Sequence, residues 1–163
     1  MSNDEKNKVA LLAQGDFLIS SSIPLKTVFF SSSLAIVFSE KGSQRFGMGL
    51  FSIPDIEIFN TNLFLSVNHG LWLSYLNYIR EVKNKDNISI SVFGASNIIG
   101  KAHENSGYGF KNLLFFDKIV QELNVNRLFN DLGGNFCRQL ELFPGEKHLF
   151  VNNSLAERIN YDF

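Results

Sequence analysis

Leu25 to Phe38 is dense in Val, Ile, Phe and Ser. A run of this kind suits buried strands, because β-branched and aromatic side chains fit a pleated, half-buried surface. Shorter runs with strand character surround it. Val9 to Leu18 reads as a strand interrupted at Gly15-Asp16, and Phe46 to Ile53 as one stopped by Pro54. Ile88 to Phe93 alternates Ile, Ser and Val and ends in the turn Gly94-Ala95-Ser96-Asn97. Val125 to Leu132 is a strand closed by Gly133-Gly134-Asn135. Arg138 to Phe143 and His148 to Val151 form a hairpin around Pro144-Gly145-Glu146.

Two segments carry helical periodicity. From about Asn62 to Lys83, the residues Trp72, Tyr75, Leu76, Ile79 and Val82 fall at helical spacing. From Tyr108 to Leu123, the stripe is Leu113, Phe116, Val120 and Leu123. Strands and helices mix without a regular βαβ alternation. The expected class is therefore α+β, with mixed sheets packed together and flanking helices. The expected organisation is a flexible tail over 1–8, one domain over 9–152 and a C-terminal tail over 153–163. That last stretch is polar until Tyr161 and Phe163.

Composition excludes several function classes. The net charge is −1 and the basic residues are scattered. Nucleic-acid binding, which depends on neutralising phosphates, is not expected. Cys137 is the only cysteine, so neither an internal disulfide nor a cysteine-rich metal site is expected. His69, His103 and His148 lie far apart and lack ligand-like spacing, and no metal or other cofactor is implied. The N-terminus is polar and mixed in charge, and no apolar run approaches a membrane span. A cytoplasmic protein without membrane insertion is the expectation. The chain has 17 Phe, which points to a Phe-rich core before it points to an apolar interaction surface.

Four segments resemble a known family, in order along the chain. Gly15-Asp16-Phe17 is similar to the G-E-Y of CheD proteins. Val92-Phe93-Gly94-Ala95-Ser96-Asn97-Ile98 resembles the CheD glycine-rich turn, usually a pattern like GGA-[SN]-M. Tyr108-Gly109-Phe110-Lys111-Asn112 resembles its I-G-x-R-N segment, with Lys111 in place of Arg. Asp131 to Arg138 resembles its D-x-GGN-x-x-R turn. The likeness runs from about Val9 to Val151.

The resemblance implies a chemistry. CheD proteins hydrolyse the side-chain amide of receptor glutamines. A cysteine thiolate attacks the amide, a histidine handles protons, and a threonine orients the histidine. The resemblance puts Thr27 on the threonine, Ser32 on a serine, Ser33 on the cysteine and Leu50 on the histidine. Both working groups are thus replaced. Serine is a poor nucleophile unless a base takes its proton, and leucine takes none. The expected function is a catalytically degenerate binding module in chemotaxis or related signalling. Its expected partners are a chemoreceptor cytoplasmic helix or a CheC-like phosphatase. Expected partner-binding residues are Ser32, Gly94, Ser96, Gly133, Gly134, Asn135 and Arg138. One alternative is residual deamidation by Ser33, with His69 as the base. Another is a structural subunit burying Phe-rich surface in a homo-oligomer. Cys137 reads as a small hydrophobe, and Asp131 with Arg138 as an ion pair.

Overall fold

A computed structural model describes residues 8–51, 77–79, 81, 85–96 and 108–163. The strands form two five-stranded sheets. In the first, the order is β1 (Ala10–Leu12), β3 (Leu25–Thr27), β8 (Arg138–Phe143), β9 (His148–Asn153) and β10 (Arg158–Asp162). In the second, it is β2 (Phe17–Ser20), β5 (Phe46–Phe51), β4 (Leu34–Glu40), β6 (Ile88–Gly94) and β7 (Asn126–Leu132). Both sheets are mixed. β1 runs parallel to β3 and β6 parallel to β7, while the remaining neighbours are antiparallel.

The apolar pattern of each strand follows from what covers it. Ala35 and Val37 of β4 enter a core shared with Leu12, Leu25, Leu140, Leu142, Leu149 and Val151 of the first sheet. Leu34, Ile36 and Phe38, the alternate positions, enter a second core with Ile79, Ile90, Val92 and Phe116. β4 is covered on both faces, so its sequence is a continuous apolar run. β8 and β9 are covered on one face, and their burial alternates residue by residue.

The helix Tyr108–Leu123 spans the residues its periodicity predicts. It lies between β6 and β7 in the chain, as a parallel pair requires of its crossover. Phe116 and Leu113 pack on the second core. The earlier predicted helix, Asn62 to Lys83, falls mostly outside the described residues, of which 77–79 and 81 are helical. No helix among the described residues is long and apolar enough to cross a membrane.

The run Leu25 to Phe38 holds two buried strands that part company, because β3 belongs to the first sheet and β4 to the second. One expectation needs correction: 153–163 is not a tail. β10 pairs antiparallel with β9 from Arg158↔Asn152 to Asp162↔His148. The Tyr161 ring meets Phe93 edge-on at 5.3 Å, and Phe163 meets Phe46 in the same way at 5.3 Å. The segment is polar because it is an edge strand with one face to water, and its two aromatic residues point inward.

Among the described residues the chain passes between the sheets at four places: Ala13–Asp16, Ser21–Pro24, Val28–Ser33 and Gly133–Cys137. A chain leaving one ladder for another carries unpaired backbone groups that must find other partners. At the first, third and fourth crossings those partners include strand and turn residues of the sheets the chain passes between.

Candidate functional site

The Val28–Ser33 crossing is anchored at both ends. Thr27, fully buried, accepts a hydrogen bond on Oγ1 from the Leu140 amide at 2.9 Å. Its hydroxyl oxygen thus continues the β3–β8 ladder just where β3 leaves it. Phe30 then exchanges both backbone hydrogen bonds with Arg138, each at 2.8 Å.

Three successive carbonyls of Ser31-Ser32-Ser33 are held from the opposite side. Ser96 N–H donates to Ser31 O at 2.9 Å, and Ala95 N–H to Ser33 O at 3.0 Å. Asn112 Nδ2 donates to Ser32 O at 2.7 Å. This docking needs glycine in two places. A Cβ on Gly94 would lie 2.2 Å from Ser33 O, and Gly94 has φ +115. A Cβ on Gly109, at the start of the helix, would lie 2.4 Å from Ala95 O. These are close backbone approaches that a side chain forbids.

Arg138 joins the fourth crossing to this assembly. It is 1% exposed and donates to both Asp131 carboxylate oxygens, at 2.9 and 2.7 Å. Its third nitrogen reaches Ser96 Oγ at 2.6 Å and Gly133 O at 2.9 Å. The Phe136 ring lies beneath the guanidinium at 4.2 Å. Gly133 N–H donates to Gly94 O at 2.8 Å, tying the two glycine turns directly. Ser96 and Arg138 were expected on a partner-binding surface. They are buried, and their polar atoms bind within the chain. Ser32 and Gly133 are half-buried, whereas Gly134 and Asn135 are exposed on the turn.

Ser33 is nine-tenths buried at the end of this crossing. Its hydroxyl donates to Gln14 Oε1 at 2.8 Å. Leu50 stands opposite Ala35 in the β4–β5 pair, two positions on from Ser33, and its side chain is fully buried in the core between the sheets. Gly15 N–H donates to Leu50 O at 2.7 Å, and Leu50 N–H to Asp16 O at 3.0 Å. The first crossing therefore brings Gln14, Ser33 and Leu50 into one neighbourhood. Gln14 carries no motif that sequence reasoning could use. The one trace is Asp16, whose carboxylate accepts the Ala13 amide at 2.7 Å and closes the turn.

Of the other candidates, Cys137 and His148 lie elsewhere. Cys137 is half-buried and fastened to Ser154 through its own N–H and carbonyl. His148 sits on β9 against Asp162. His69 and His103 lie outside the described residues.

The model of the CheD family, described as CheD chemotactic sensory transduction, matches residues 68–153, more than half of the chain. The chain belongs to the CheD family. The matched stretch includes both glycine turns, Asn112 and Arg138, the parts that hold the Ser31-Ser32-Ser33 crossing. Thr27, Ser33 and Leu50 precede it. No curated protein matches the chain. Membership makes this a chemotaxis-related, CheD-like protein.

Proposed function

We propose that this CheD-family chain works by binding rather than by catalysis, engaging a chemoreceptor helix or a CheC-like partner at the end of the sandwich where Ser33 lies. One observation carries the reading. The Ser33 hydroxyl donates to a neutral amide oxygen, and the residue on the family's histidine position, Leu50, is an aliphatic side chain sealed in the core. Among the described residues, neither the Gln14 amide oxygen nor the Leu50 side chain is a base that could take the hydroxyl's proton. Loss of one member of a serine protease triad costs on the order of a millionfold in turnover. Replacing both CheD partners removes the same two functions, nucleophile and base.

Retention of the surrounding frame supports the binding side of the reading. Gly94, Gly109, Asn112, Asp131 and Arg138 are all present and hold the crossing in place. The test incubates the protein with chemoreceptor cytoplasmic fragments and measures both association and the mass change of glutamine to glutamate. Association with no mass change is expected. Turnover that disappears in Ser33→Ala would overturn the proposal.

A further inference from the structure

The Ala13–Asp16 crossing presents a glutamine side chain to the position where the family's nucleophile would stand. Its placement does not depend on the side chain alone. Gly15 and Asp16 are pinned to both backbone groups of Leu50, at 2.7 and 3.0 Å, and the Asp16 carboxylate closes the turn on Ala13. Gln14 itself is exposed, while the Ser33 it covers is nine-tenths buried. The contact is between Ser33 Oγ–H and the amide oxygen, 2.8 Å apart. A glutamine from any other chain would offer Ser33 the same oxygen.

We infer that Gln14 is a resident ligand of the Ser33 site, an internal carboxamide that a partner's carboxamide side chain must displace in order to bind. The inference rests on the binding reading above and deepens it. The turn is clamped at Leu50, yet the Gln14 side chain is solvent-exposed, and among the described residues one neutral hydrogen bond seats it on Ser33. Such a bond is worth on the order of a two- to tenfold change in an equilibrium. Partner affinity is then lowered by the fraction of molecules in which Gln14 is seated.

Thiol accessibility tests the contact on the protein itself. In a chain carrying Ser33→Cys and Cys137→Ser, the introduced thiol is the only one. Its alkylation by iodoacetamide, a small primary carboxamide, is followed by mass. Adding Gln14→Ala is expected to speed alkylation about two- to tenfold, the worth of the lost hydrogen bond. Gln14→Met keeps the length and loses the acceptor, and gives the same direction should the alanine variant fold poorly. Gln14→Glu keeps the acceptor and holds the rate at or below that of the parent. Equal rates in the parent, alanine and methionine chains overturn the inference. In the chain with Ser33 intact, Gln14→Ala is expected to tighten binding of a receptor fragment by a similar factor. If no chain binds the fragment while alkylation still accelerates, the binding proposal fails and the capping contact stands.

Discussion

Arg138→Met is the substitution whose cost the structure defines best. The methionine keeps much of the side-chain volume, so the change is mainly electrostatic. It removes four side-chain hydrogen bonds, two to Asp131, one to Ser96 and one to Gly133 O. Breaking a buried ion pair by deleting one partner costs about 3–5 kcal/mol, because the other charge stays behind. Asp131 keeps 23% of its side-chain surface in solvent, which lets water compensate in part. The expected cost is therefore at the low end, about 3 kcal/mol. A domain of this size has about 5–15 kcal/mol in total, so the variant folds and can be measured. Urea unfolding followed by far-UV circular dichroism gives the change from the midpoint at unchanged slope. Asp131→Asn alone and the double variant complete a cycle, with an expected coupling of about 1–3 kcal/mol. A loss below about 1 kcal/mol for Arg138→Met, or additivity in the cycle, would refute the account of Arg138 as the clamp of the crossing.

Four further outcomes follow from the structure. Gly94→Ala forces a Cβ onto Ser33 O at a positive φ and is expected to cost about 2–4 kcal/mol in the same urea assay. Gly145→Ala, where a Cβ meets nothing within 4 Å, should change stability by less than about 1 kcal/mol and serves as the control. Thr27→Val keeps the shape but leaves the Leu140 amide without its acceptor, a loss of about 1–2 kcal/mol that Thr27→Ser should largely restore. Lys26 hydrogen-bonds Glu141 and holds its carboxyl below the usual glutamate range, with Arg158 adding to the effect. A depressed folded value means this contribution is present above the unfolded value, about 4.3, and is lost as pH falls through the folded one. Acid titrations of stability should show a shallower decline in Glu141→Gln than in the parent below that pH.

The secondary structure was legible wherever local pattern and tertiary demand agree. The helix Tyr108–Leu123 has one apolar stripe, of which Leu113 and Phe116 pack on the second core. The hairpin β8–β9 alternates and has one wet face. The partition of strands between sheets was not legible. Nothing in Leu25 to Phe38 says that the chain changes layers at Val28–Ser33, since both halves are apolar for different reasons. The parallel pairing of β1 with β3 depends on the intervening β2 leaving for the other sheet, a property of the whole fold. β10 was hidden because an edge strand's outer residues resemble those of a solvated tail. At the site, the pairing of Asp131 with Arg138 was legible in the motif, but the burial of Arg138 and its bonds to Ser96 and Gly133 were not. An arginine in a turn motif reads equally as surface or clamp until its burial is known. Gln14 was missed because a lone glutamine beside a turn has no signature, and only the 19-residue contact to Ser33 gives it meaning.

The crossings have a consequence for how the chain folds. The bonds that frame Ser33 close loops of 19, 42 and 80 residues, and each ties together parts that separate elements must first bring near. Loop closure of that length yields nothing until the strands on either side are already in place. Each ladder can form without the frame, but the frame cannot form without both ladders docked face to face. A compact state that kept its strands but loosened the packing between the layers would therefore lack this region altogether. Order at Ser33 is in that sense a property of the finished sandwich, and belongs to neither sheet alone.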